Sequence, residues 1–232
     1  MTGSGEIAEG MPCVARVLMP ERGVFLVCLP EGFDSPRDTE CVVQLDYGED
    51  VGVVKWSGRY SPELHGPRIP GFRLIRPLDP SDDARLAANA DLAESMCVTF
   101  QKLAAADGND IDILHRRLSF GRGRLFIRFK SERTRPDLAR PSAEIRRLFN
   151  ATVNAWQLGP RDEVSLAGAL GPCGRACCCC DWQMRYPQGL TAGRVRAMGV
   201  APGGQNGICG RFKCCLAFED ADSPACDGTA CD

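Results

Sequence analysis

The chain has 232 residues, 44% hydrophobic and 25% charged, with a formal net charge of −2. That is enough apolar material for one sizeable core or two modest ones, and it excludes both a chain too polar to fold and a small scaffold that depends on disulfides. No stretch approaches the roughly 18 to 20 apolar residues of a membrane-crossing helix, and the opening MTGSGEIAEGMPC has neither the basic nor the apolar region of a secretory leader, so a cytoplasmic protein with no membrane partner is expected.

Residues 13–57 read as short strands. Cys13 to Met19, Val24 to Leu29, Cys41 to Leu45 and Val51 to Trp56 are apolar and β-branched, separated by Gly, Pro, Asp and Glu. They predict a small barrel or curled sheet. From Ser57 to Pro80 the chain carries Pro62, Pro67, Pro70, Pro77 and Pro80 with several glycines, which disfavours regular structure and predicts a linker. Residues 1–75 are therefore expected to form a β segment and a Pro-rich linker.

Beyond Pro80 the pattern turns helical. Leu86, Ala90, Ala93, Cys97, Phe100 and Ala104 recur at steps of three and four, Ser81 or Asp82 can cap the start, and Gly108 lies just past the end. Ile111 to Leu118 and Leu125 to Phe129 flank Gly121-Arg122-Gly123, where glycine permits positive φ, so a β-hairpin is expected. A helix over Ser142 to Asn150 and a strand over Val153 to Leu158 complete an α-β-β-α-β order. The fold class is thus α+β: a barrel-like N-terminal segment, a central α+β domain over 76–165, and a Cys-rich metal-binding module over 166–220. A flexible tail is expected over 221–232.

The Cys-rich module has few large apolar residues, so something other than hydrophobic burial is expected to order it. Of the 14 cysteines, four stand consecutively at Cys177 to Cys180. Adjacent cysteines seldom pair, because a disulfide requires Cα atoms about 5.5 Å apart and a near-perpendicular torsion. In a reducing cytosol, clustered thiols point to metal or redox chemistry. Gly171-Pro172-Cys173-Gly174-Arg175-Ala176-Cys177-Cys178-Cys179 and Gly207-Ile208-Cys209-Gly210-Arg211-Phe212-Lys213-Cys214-Cys215 are one pattern, C-G-R-x-x-C-C, used twice at a separation of 36 residues.

Thiolates are soft ligands for iron–sulfur clusters and for zinc. The glycine after each first cysteine is expected to remove bulk beside the metal, and Arg175 or Arg211 to offset the negative charge of a thiolate-bound cluster. Structural zinc usually takes C-x₂₋₄-C knuckles, and the doubled Cys-Cys suits a cluster with several iron corners better than one tetrahedral ion. An iron–sulfur group is the first reading, zinc the second, and unliganded or redox thiols the third. Each repeat supplies three cysteines, one short of the four usual for a cluster. The remaining ligands would come from Cys177 and Cys180, from Cys226 and Cys231 in the tail, or from another protein.

The other cysteines, Cys13, Cys28, Cys41 and Cys97, lie in apolar surroundings where cysteine behaves as a small hydrophobe. His65 and His115 have no partner at metal-ligand spacing. No G-x-S-x-G, P-loop or HExxH motif is present, and Gly121-Arg122-Gly123 lacks the rest of a dinucleotide fingerprint. Between Asp112 and Arg147, eleven Lys or Arg stand against four Asp or Glu. Such a basic segment (Arg116–Arg147) suits RNA phosphates or an acidic partner, or is a solvated sheet face.

At the double motif, with Arg161-Asp162-Glu163 before it and Cys214-Cys215-Leu216 and Phe218-Glu219 at its end, the chain resembles the YaaT/RicT family of stage-zero sporulation and cell-fate regulators, which carry the PSP C-terminal region. The resemblance implies a cytoplasmic, non-catalytic regulator that binds one or two [4Fe–4S] clusters. It implies a complex with two small helical YlbF/YmcA-like partners and an influence on an RNA-processing nuclease and on developmental decisions. By position it assigns Cys173, Cys178, Cys179, Cys209, Cys214 and Cys215 as ligands. Cys177 and Cys180 depart from the family pattern and are carried as additional ligands. An iron–sulfur electron carrier and a zinc-stabilised nucleic-acid-binding module are the alternatives.

Overall fold

The computed structural model describes residues 12–33, 36–180, 190–199 and 205–216. The chain divides into two compact units, residues 1–157 and 158–232. Cys226, Cys231 and the expected tail over 221–232 lie outside the described residues. Among the described residues no helix is long and apolar enough to cross a membrane.

The first unit opens with strands β1 (Cys13–Met19), β2 (Gly23–Cys28), β3 (Glu40–Leu45) and β4 (Gly48–Arg59), close to the four expected. Alternation points Ala15, Val17, Val27, Val43 and Val54 inward, all essentially inaccessible. The stretch expected as a linker is corrected. It holds a short helix, α1 (Pro62–His65), and a fifth strand, β5 (Arg73–Pro77), whose Leu74 is buried. Pro70 precedes this strand and Pro77 ends it, so neither removes a ladder hydrogen bond from its interior. β5 pairs antiparallel with β3 and meets β2 at one parallel pair, Cys28 with Arg73. The strand order β1-β2-β5-β3-β4 then returns to β1 and forms a small barrel.

The α-β-β-α-β order is present as α2 (Asp82–Ala106), β6 (Asp112–Leu118), β7 (Arg124–Lys130), α3 (Ala139–Phe149) and β8 (Thr152–Gln157). β7 lies between an antiparallel β6 and a parallel β8, and α3 makes the crossover that a parallel pair requires. Ala93, Met96, Cys97, Phe100 and Ala104 of α2 pack on Leu125, Ile127 and Phe129 of β7 and on Ile145 of α3. Two positions of the expected apolar stripe differ: Leu86 is half-buried and Ala90 is exposed. The buried place belongs to Asn89, which donates to the carbonyls of Ser119 and Phe120 and accepts from Arg122. A polar residue can sit there because all its partners are supplied.

The hairpin turn also differs in its reason. Positive φ falls on Arg122, at 61°, not on the flanking glycines. Gly121 and Gly123 are needed for close approach to the β3–β4 turn. The Gly121 N–H donates to the Glu49 carbonyl at 2.8 Å, and a Cβ on Gly123 would overlap the Tyr47 carbonyl oxygen. Beside them the fully buried Asp50 takes both terminal nitrogens of Arg117, at 2.7 and 3.0 Å, the Tyr47 hydroxyl and the Phe120 N–H. Glu21 accepts from Arg117 and from His115. Burial works against ionisation of Glu21, but the hydrogen bonds from His115 and Arg117 hold its carboxyl below the usual range.

Both histidines are thus structural: His115 on Glu21 and His65 on the backbone of Ser61. Cys41 and Cys97 are buried, their thiols pushed up to about 12 and about 11 by burial. Cys28 is half-buried, whereas Cys13, expected as a small hydrophobe, is exposed at the start of β1. In the basic segment Arg116, Arg117, Arg140 and Arg147 face carboxylates of Glu94, Asp50 and Glu21, Asp107 and Glu144, so part of its positive charge is neutralised within the fold.

Candidate functional site

The second unit begins with helix α4 (Pro160–Ala167), and a further short helix, α5 (Ala192–Ala197), lies between the two cysteine motifs. Each motif folds into the same turn. In the first, Leu170 bridges Ala176, the Gly171 N–H donates to the Arg175 carbonyl, Gly174 to Gly171, and Cys177 to Ala169. In the second, Asn206 bridges Phe212, Gly207 donates to Arg211, Gly210 to Gly207, and Lys213 to Gln205. All these bonds measure 2.8 to 3.0 Å.

The glycine after each first cysteine has positive φ, 76° at Gly174 and 75° at Gly210, and no protein atom lies within 4 Å of a Cβ built there. Backbone conformation, not bulk beside the metal, is therefore what demands glycine. The arginines contribute main-chain carbonyls to the turns, and their side chains are exposed.

The structural alignment separates the two additional cysteines. Cys177 corresponds to Lys213 and Cys180 to Leu216. Each of Cys180 and Leu216 donates its N–H back to the residue three before it, Cys177 and Lys213 respectively. Leu216 is 3% exposed, so this is an inward, packing position in the second copy. Cys180 points its thiol at the Val164 carbonyl of α4, 3.4 Å away.

Helix α4 touches both copies. Ser165 donates to the Cys179 carbonyl, and Arg161 reaches the Phe212 carbonyl with one terminal nitrogen at 3.5 Å. Its own start is capped by Asp162, whose carboxylate accepts the Gly159 N–H at 3.0 Å. Between the copies is a pocket of about 340 Å³ that collects Cys173, Cys177, Cys178 and Cys179 from the first and Cys209, Cys214 and Cys215 from the second. Val164, Ile208 and Phe212 give it apolar walls. Seven of the eight expected ligand positions thus share one pocket, and Cys180 is not among its lining residues.

Burial raises the thiols of Cys177, Cys178 and Cys214 above their ordinary value and pushes Cys179 up to about 12. Their mutual proximity adds to this. Cys178 feels Cys215 and Cys214 of the other copy, and Cys177 feels Cys209. At Cys214 the Arg161 guanidinium acts in the opposite direction and favours the thiolate. Lys213 lies on the pocket wall, and Arg161, just outside the lining, is the cation that acts on Cys214; the spacing of the cysteine motif alone did not single it out. Its place in Arg161-Asp162-Glu163, ahead of the first motif, was the available signal.

Among the described residues no three His, Cys, Asp or Glu side chains are drawn together around one point. The donor set is nonetheless all sulfur, from two matching turns, around a pocket with room for more than a single ion. In kind it fits a thiolate-bound metal group.

No protein-family model matches the chain, and no solved structure does. Over 150 residues the chain is 27% identical to "Stage 0 sporulation protein YaaT" of Bacillus subtilis (strain 168), a match covering 65% of this chain and 54% of that protein. The chain therefore spans about half the length of the curated relative it matches.

Proposed function

From the premise that this chain is a distant relative of the sporulation protein YaaT, we propose that it is a regulatory protein whose second unit binds an iron–sulfur cluster. The observation that carries this reading is the single pocket lined by seven cysteines from two copies of one turn. Cys173, Cys178 and Cys179 with Cys209, Cys214 and Cys215 would hold the group, and Cys177 is the additional thiol on the same pocket. When bound, the group supplies a redox- and oxygen-responsive charge. The chain's own residues contribute rigid turns, apolar walls that limit water, and a cation near Cys214.

In this proposal the cluster is a regulatory element and not a site of substrate turnover. Cys173 and Cys215 are exposed, which suits a surface whose form depends on the bound group and which partner proteins read. YlbF/YmcA-like helical partners and an RNA-processing nuclease belong to the proposal as those readers.

Anaerobic purification followed by metal, acid-labile sulfide and absorbance analysis tests the reading on the wild type and on a Cys178→Ser, Cys214→Ser double variant. Iron and sulfide present in the first and lost in the second are expected. Zinc without sulfide would replace the cluster with a structural zinc site, and no metal in the wild type would overturn the reading.

A further inference from the structure

Among the described residues, the Nε of Arg161 is the only buried side-chain nitrogen or oxygen left without a hydrogen-bond partner. A buried donor of a charged group is costly to leave unpaired. One terminal nitrogen of the same guanidinium reaches the Phe212 carbonyl at 3.5 Å, the outer limit of a hydrogen bond. Phe212 lines the cysteine pocket, as do Cys214, two residues on, and Val164, one turn along α4 from Arg161. The unmatched donor therefore belongs to a side chain held between the helix and the second thiol turn.

We propose that Arg161 is a positioning residue of the metal centre: its Nε–H donates to a sulfur on the Cys214 side of the bound group. This inference rests on the reading of the pocket as a thiolate-bound iron–sulfur site. A cluster with several thiolates is anionic, and its reduced state carries one further negative charge. A guanidinium beside it stabilises the reduced state more and raises the reduction potential, while a directed hydrogen bond to sulfur slows loss of the metal. The arginines inside the two motifs are exposed, and Arg161 takes the role first assigned to them.

The test uses the full chain reconstituted anaerobically with iron and sulfide, comparing wild type, Arg161→Gln and Arg161→Lys. Far-UV circular dichroism of the apoproteins checks that the variants fold. Arg161→Gln is expected to lower the midpoint potential and to release iron to a chelator roughly tenfold faster or more. Arg161→Lys keeps the charge without the planar fork, so it should keep most of the potential while still releasing iron faster. Potential and release rate unchanged in Arg161→Gln would overturn the inference. If that variant takes up no iron, Arg161→Lys decides: a potential near that of wild type supports the role, and one lowered as far as loss of the charge predicts overturns it. A wild type that takes up no iron refutes the reading of the pocket itself, which is a distinguishable result. Should it carry zinc instead, the rate of zinc release decides the role of Arg161 in the same way.

Discussion

Gly123 has no room for a methyl group, because a Cβ there would overlap the Tyr47 carbonyl in the β3–β4 turn. Gly123→Ala must push the hairpin away from the barrel, and a loss of about 1–3 kcal/mol in denaturant unfolding is expected. Asp50 beside it has a different dependence. It is fully buried and neutralises Arg117, itself largely buried. Asp50→Ala leaves that cation with Glu21 alone and removes the acceptor for Tyr47 and Phe120, so a cost of about 3 kcal/mol is expected by the same measurement. In the second unit the contrast lies between neighbouring cysteines. Cys180→Ala removes a thiol that bonds α4 and does not line the pocket, so metal content per chain should stay at the wild-type level. Cys178→Ser removes a thiol that faces the other turn, and metal content should fall.

Among the elements, the start of α2 is built by a side chain from the barrel. Ser81, one of the two expected caps, makes no capping bond. Asp82 instead accepts Arg76 of β5 through both oxygens, at 2.7 and 2.9 Å, and the Asp79 N–H at 2.9 Å. The hydrogen bond from Arg76, and then that from Asp79, bring its carboxyl from the ordinary 3.8 to about 2. Because the folded value is the lower one, this contribution is fully present above about pH 4 and is lost as pH falls from there towards 2. Arg76→Ala should therefore flatten the dependence of stability on pH in that window, read by denaturant titrations at successive pH values. The pair also explains why β5 matters beyond the barrel: it carries the residue that anchors the long helix.

At the scale of the whole molecule, the two units differ in what orders them. The first has two apolar clusters, one inside the barrel and one between the α2/α3 pair and its sheet. In the second, the buried apolar residues among those described are Cys179, Val195 and Leu216. A unit with so little buried apolar surface needs another source of order, and a bound metal group is one. Prolonged chelation should then make residues beyond about Leu158 sensitive to limited proteolysis while residues 12–157 persist as a resistant fragment, as mass spectrometry of the digest would show. A second unit equally resistant with and without metal would argue that the turns and α4 are sufficient by themselves.

The features legible in neighbouring residues are all short-range ones. Apolar, β-branched runs between turn residues mark β1 to β4, steps of three and four mark α2, and the 36-residue repeat marks two equal turns, because strand propensity, helical pitch and a glycine-dependent turn are all written in neighbouring residues. The tertiary structure alone decided what depends on distant partners. Prolines obscured β5, whose place comes from pairing with β3 and β2. Gly121 and Gly123 are needed by the turn opposite them and not by their own. Cys177 and Cys180, three residues apart and chemically alike, part company because one faces the pocket and the other faces α4. Arg161 comes beside Cys214 only because α4 is set against the second turn: its place depends on the Phe212 carbonyl it reaches and the thiol it acts on, and no local spacing encodes that meeting.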